Sequence, residues 1–194
     1  EFKESGKFIV SYANSYDQKA YYLASLADEI YLNAEGMLLF KGLSAQLMFF
    51  KGLLDKLDIE MQIVRGPDNK YKSAVEPLMR NHISEANREQ MQVLLNSIWG
   101  KFIAAISDSR GISIDELNEI ADKLELTTAE KAVEHKFVDG AVYRDEVIRI
   151  LKEKTGQKED DKINSVSFGN YTKAKVKETR GLKRNKLAIV YAEG

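Results

Sequence analysis

The order in which short apolar runs and helix-period stretches follow one another constrains this chain more than any single residue does. Phe8-Ile-Val-Ser-Tyr-Ala13 is a short apolar run with the length and make-up of a buried parallel strand. Residues 17–27 then carry a helical pattern, with Asp17 placed to cap it and Tyr22, Leu23, Leu26 and Ala27 on one face. Strand patterns follow at 29–33 and 37–40, separated by the turn Ala34-Glu-Gly36. Leu47, Phe50, Leu54 and Leu57 predict a second helix over 45–57, and a further strand is expected over 60–65. This β-α-β-β-α-β order predicts an α/β layered fold with a mainly parallel sheet.

Beyond residue 80 the pattern turns helical. Ser84 is expected to cap a long helix to about residue 109, with Met91, Leu94, Leu95, Ile98, Phe102, Ala105 and Ile106 at helical spacing. Ser113-Ile-Asp-Glu116 and Thr127-Thr-Ala-Glu130 have the spacing of capping boxes and predict helices near 113–123 and 127–135. A last helix is expected over 145–154, ending at Gly156. From 157 to 186 the chain is polar, and its basic stretch 173–186 reads as a solvated linker rather than a patch for acidic lipid or a partner. Glu1-Phe-Lys-Glu-Ser-Gly6 reads as the last turn of a helix and Leu187-Ala-Ile-Val-Tyr-Ala192 as a buried strand without a partner. Both ends read as interrupted elements, so a segment of a longer polypeptide is expected.

Composition removes several function classes. The 194 residues hold no cysteine, which excludes a disulfide framework, a thiol nucleophile and a cysteine zinc site. A formal net charge of −1 gives no support for nucleic acid as a partner. No apolar run approaches the ~20 residues a membrane helix needs. His82 and His135 have no ligand-spaced partners and read as surface histidines, so no metal and no cofactor is expected. The glycines Gly36, Gly42 and Gly52 form no phosphate-binding pattern. Tyr21, Tyr22, Phe49 and Phe50 read as core packing in preference to a groove for apolar peptides.

The position that points to chemistry is Lys72. The expected strand at 60–65 stops at Gly66-Pro67, a turn pair, and Ser73-Ala-Val-Glu76 has the spacing of a capping box, in which Glu76 partners Ser73. Lys72 is therefore expected on a loop just before a helix N-terminus, where free N–H groups and the helix dipole disfavour an ammonium. A lysine pushed toward its neutral form can serve as a general base. Position alone does not single it out, because the chain has 29 Lys+Arg. The energies set a further condition. Bringing a lysine near neutrality takes about three pKa units, or ~4 kcal/mol, whereas a helix terminus offers only about 0.3–1 kcal/mol. Desolvation must do the rest.

The run Tyr71-Lys-Ser-Ala-Val-Glu-Pro77 resembles the segment around the catalytic lysine in the signal peptide peptidase A, or protease IV, family. Ser5-Gly-Lys-Phe-Ile-Val10, Gln18-Lys-Ala-Tyr-Tyr-Leu-Ala-Ser-Leu-Ala-Asp-Glu-Ile-Tyr-Leu-Asn33 and Gly52-Leu-Leu-Asp-Lys-Leu57 are similar to the same family, in the same order. Leu126-Thr-Thr-Ala-Glu-Lys-Ala132 and Phe137-Val-Asp-Gly140 resemble the C-terminal portion of crotonase-type domains. The resemblance implies a crotonase/Clp-protease-like layered fold over 1–156, followed by a polar basic linker at 157–186 and the first strand of a second domain at 187–194. It implies a Ser/Lys-dyad serine endopeptidase acting on apolar peptides such as cleaved signal peptides, with Lys72 as general base. It further implies a homo-oligomer at the bacterial inner membrane, with the catalytic part outside the cytoplasm. In the family's catalytic half the serine precedes two small residues and an aromatic pair. Here that register falls on Gln18-Lys-Ala-Tyr-Tyr22, and Gln18 cannot act as a nucleophile. No Gly-x-Ser-x-Gly elbow and no Ser-x-x-Lys occurs either. The serine is thus expected on the C-terminal half of the same polypeptide. Two other functions fit the same element order: a crotonase-type acyl-CoA enzyme, and a non-catalytic assembly module in which Lys72 is a surface charge.

Overall fold

A strand needs a neighbour to satisfy its backbone groups, and this chain brings its strands together across long stretches of sequence. The computed structural model describes residues 3–66 and 69–173, and divides the chain into two units, Glu1–Leu151 and Lys152–Gly194. The first unit is built on β1 (Val10–Tyr16), α1 (Gln18–Ala24) and β2 (Glu29–Leu38). After α2 (Lys51–Lys56) and α3 (Glu76–Met79) comes the long α4 (Glu85–Arg110), then α5 (Ile114–Lys123), α6 (Ala129–Glu134), β3 (Gly140–Ala141) and α7 (Arg144–Lys154). The strands form one sheet in the order β1-β2-β3, and both pairings are parallel. The expected α/β class with a parallel sheet is therefore present, in agreement with a crotonase/Clp-like layered arrangement. In the second unit, α8 (Phe168–Tyr171) is a single exposed turn capped by Ser167. The expected strand at 187–192 and most of the basic stretch lie outside the described residues.

The core gathers on the central strand. Ile30, Leu32 and Leu38 of β2 are buried with Tyr21 of α1, Ile103 and Ile106 of α4, and Leu117 and Ile120 of α5. Phe137, on the turn between α6 and β3, meets Phe40 edge-on at 4.9 Å between ring centroids and lies 5.2 Å from Tyr21. Edge-to-face geometry matches the positive ring edge to the negative face, adding to the area buried. The Tyr21 hydroxyl donates to the Phe137 carbonyl at 2.8 Å, so the deepest ring leaves no polar group unmet. Arg110, 10% exposed, closes the far end: its guanidinium pairs with Asp139 at 2.9 Å, and Asp139 Oδ2 accepts from the Ile30 N–H at 2.7 Å.

The structure corrects several expectations. β1 begins two residues later than the apolar run, and Phe8 is exposed, because the Ile9 N–H is taken by the Asp28 carboxylate at 2.7 Å. Asp17 does cap α1, accepting from the Ala20 N–H, but the helix ends at Ala24 and turns Tyr21 and Ala24 inward, leaving Tyr22, Leu23 and Leu26 exposed. The two strands expected at 29–33 and 37–40 are one strand with an irregular step. Between the pairs Ala13↔Leu32 and Ser15↔Met37, β1 advances two residues and β2 advances five. The additional residues fold on themselves: Asn33 Oδ1 accepts from the Glu35 N–H at 3.0 Å, and a Cβ at Gly36 would stand 2.4 Å from the Asn14 carbonyl oxygen.

The helix expected over 45–57 is confined to α2, because the Phe50 N–H is drawn away to the Pro77 carbonyl at 2.7 Å. Residues 60–65 form no strand: none of the three strands pairs with them, and Val64 is 99% exposed. α4, α5 and α7 match their expected spans closely, with Ser84 and Ser113 as the caps anticipated. The cap of α6 is Thr128, not Thr127, whose own N–H is held by the Glu125 carbonyl.

Candidate active site

Lys72 lies on an irregular segment between α2 and α3, with its side chain in solvent. Its backbone is held more firmly than its surroundings suggest. The Lys72 N–H donates to the Asn69 carbonyl at 3.0 Å, and Arg65 Nη2 donates to both the Lys72 carbonyl at 2.7 Å and the Asn69 carbonyl at 3.0 Å. One guanidinium thus staples the turn that carries the lysine. Among the described residues the Lys72 ammonium forms no ion pair. Its neighbour Lys70 sits over the Tyr71 ring at 4.9 Å, and the Tyr71 hydroxyl reaches Glu89 on α4 at 3.3 Å.

The local framework differs from the expected one in two respects. Among the described residues no strand leads into Lys72 from 57–66, and the helix after it starts at Glu76 and spans one turn, too short to carry much of a dipole. Ser73 does not cap that helix. The N-cap is Val75, which makes no side-chain bond, while the Ser73 carbonyl accepts from the Glu76 N–H at 3.0 Å. Glu76 is correspondingly no capping-box partner of Ser73. It is 5% exposed, and its carboxylate receives the Ser84 hydroxyl, the Ser84 N–H at 3.2 Å and the Asn87 amide at 3.0 Å. Burial by itself pushes the Glu76 carboxyl up. The Ser84 hydroxyl, the Asn87 amide, the Ser84 N–H and the Arg80 charge outweigh it and hold the group below its ordinary value.

A groove of about 640 Å³ adjoins this segment, between Tyr71 and Ser73 on one side and Met91, Val93 and Leu94 of α4 on the other. Asn87, Glu89, Gln90 and Ser97 complete its lining, so apolar and polar side chains share its walls. Of the aromatics weighed earlier, Tyr21 is core, Tyr22 stacks on Phe102 at 5.1 Å, Phe49 is half-buried and Phe50 is exposed. Gln18, at the register where a nucleophilic serine is sought, instead clamps a loop, accepting from the Lys41 N–H at 2.5 Å and donating to the Gly42 carbonyl at 3.0 Å. His135 pairs with Glu125 at 3.2 Å. Arg65 and Glu76 escaped the sequence reading in these roles. Only the proximity of both to Lys72 and the Pro at 77, which fixes the start of α3, could have signalled them.

The chain belongs to peptidase family S49, whose sequence model matches residues 1–158. Among curated proteins it is similar over its full length to Protease 4 of Haemophilus influenzae, at 35% identity and covering 32% of that protein. It is also 35% identical to the chloroplastic serine protease SPPA of Arabidopsis thaliana, again over its full length and covering 28% of that protein. Protease 4 of Salmonella typhi matches the full chain at 31% identity, with 32% of its own length covered. The chain thus spans about a third of the relatives it matches. No helix among the described residues is long and apolar enough to cross a membrane.

Proposed function

We propose that this chain is the lysine-bearing portion of a serine endopeptidase that degrades apolar peptides through a Ser/Lys dyad, with Lys72 as the general base. The observation that carries the reading is Lys72 itself: an ammonium without a carboxylate partner among the described residues, on a backbone turn stapled by Arg65, beside a groove that Met91, Val93 and Leu94 make partly apolar. A salt bridge would stabilise the charged form and disable the base, so the lack of one leaves the lysine available. Membership of a peptidase family and relatives named as proteases support the same reading.

In the proposed reaction the neutral Lys72 amine takes the proton of a serine hydroxyl as its oxygen attacks the scissile carbonyl. The resulting ammonium returns that proton to the leaving amine as the peptide C–N bond breaks. The serine comes from the C-terminal half of the same polypeptide, since Gln18 stands at its register here. That half, or a neighbouring subunit of a homo-oligomer, covers Lys72 and supplies the desolvation an exposed lysine lacks. Cleaved signal peptides are the proposed substrates, at the bacterial inner membrane with the catalytic part outside the cytoplasm.

The test is turnover of an apolar peptide by the full-length polypeptide. Lys72→Ala should lower kcat by about 10³-fold or more while leaving folding intact, because an essential proton carrier is lost and no core position is touched. Lys72→Arg should fail equally, since a guanidinium cannot give up its proton in this range. The 194-residue chain alone is expected to hydrolyse no peptide and to take no fluorophosphonate label on serine. Near-normal turnover by Lys72→Arg would sink the dyad.

A further inference from the structure

We infer that Glu76 is a positioning residue for Lys72, fixing the lysine's turn to α4 and so setting where the amine meets its serine; this rests on Lys72 being the base. Lys72 and Glu76 lie four residues apart, joined by a turn in which the Glu76 N–H is bound to the Ser73 carbonyl. Upstream, the described residues 59–66 have no regular structure, and the lysine's turn is tied to them by Arg65 and by the Asn69 amide, which donates to the Gly66 carbonyl at 2.6 Å. Downstream, every donor to the Glu76 carboxylate belongs to the start of α4, at Ser84 and Asn87. α4 in turn buries Ile103 and Ile106 in the core. The buried tie from α4 to the lysine's turn therefore runs through one carboxylate, beside an exposed bond from the Tyr71 hydroxyl to Glu89 at 3.3 Å.

A helix cap alone does not call for this arrangement. Ser84 Oγ already accepts the Asn87 N–H at 3.2 Å, the bond an N-cap serine makes, and needs no carboxylate behind it. Burying an acid costs stability unless its lone pairs are met, and here three donors from a neighbouring element meet them. What the carboxylate adds is a joint between α3 and α4. A second tie, from the Phe50 N–H to the Pro77 carbonyl, fixes the same turn against α2, so the 73–79 segment is held from two sides.

The experiment uses the full-length polypeptide and an apolar peptide substrate, with Lys72→Ala measured alongside. Glu76→Ala is expected to lower kcat about 10- to 100-fold with KM within about twofold, the size of effect that small misplacement of a reacting group produces. The split between kcat and KM, with rescue by the conservative variant, separates positioning of the amine from a merely structural role. Glu76→Gln keeps one acceptor and can donate to Ser84 Oγ, so it should recover kcat to within about threefold of the parent. If Glu76→Ala does not fold by circular dichroism, Asn87→Ala removes one of the three donors and should give a smaller loss of kcat, again with KM nearly unchanged. Unchanged kcat in the folded Glu76→Ala or Asn87→Ala protein, with Lys72→Ala inactive, overturns the positioning role alone. Activity in Lys72→Ala overturns both.

Discussion

At the scale of single residues the chain relies on a few polar side chains, each satisfied by groups far along the sequence. Glu76 is the instance with a measurable pH signature. Its folded pKa is held below the ordinary 4.5, so its contribution to stability is complete above that value and is lost as pH falls through the lower, folded one. Denaturant midpoints should therefore fall as the solution is acidified below about pH 4.5, and Glu76→Gln should flatten that part of the curve. An equal slope in the variant would place the acid sensitivity elsewhere. Lys72 was legible in the sequence as a candidate because a short motif resembled a known one. What holds it was not legible: Arg65 and Glu76 are two of many charged residues, and the bonds that distinguish them are to backbone carbonyls and to a helix start eight residues away. No periodicity records such contacts.

Among the elements, the central strand shows how a local irregularity is fixed. The close approach at Gly36 leaves no room for a side chain: a Cβ would lie 2.4 Å from Asn14 O and 2.8 Å from Asn33 O, both backbone atoms that cannot swing aside. Gly36→Ala should destabilise the chain by about 1–3 kcal/mol or more, through displaced backbone rather than lost contacts. Thermal unfolding checks it; a change within a few tenths of a kcal/mol would mean that the step in the ladder relaxes freely. Helices with strong caps were legible: Ser84, Ser113 and Gly156 mark real boundaries, because a cap is a local device whose partner lies three or four residues away. The expected strand at 60–65 and the front of the helix at 45–57 were not. Both depend on what lies beside them, a sheet edge for one and the Pro77 carbonyl for the other.

For the molecule as a whole, apolar surface is the conspicuous property. Val64, Leu23, Met48 and Val93 are all largely in solvent, and α4 leaves Leu94 and Ile98 about half exposed while Ile103 and Ile106 near its end pack in the core. Exposed apolar side chains in this number suit the proposed homo-oligomer. Sedimentation velocity of the chain should show concentration-dependent self-association; a strictly monomeric species at high concentration would speak against the proposed homo-oligomer.

The sheet's pairing also has a consequence in time. Ile30 and Leu32, both fully buried, sit on a strand whose second neighbour begins at Gly140, and the Ile30 N–H waits for a carboxylate 109 positions further on. At a synthesis rate of about 5–20 residues per second, the central strand stands with one edge open for roughly 5–20 s after it leaves the ribosome. During that interval, among the described residues, β1 alone pairs with it, and the open edge can template pairing with any other extended chain. A nascent chain halted before Phe137 would lack the ring that locks Tyr21 and the turn that delivers β3, and should be cut by protease at sites the finished chain protects.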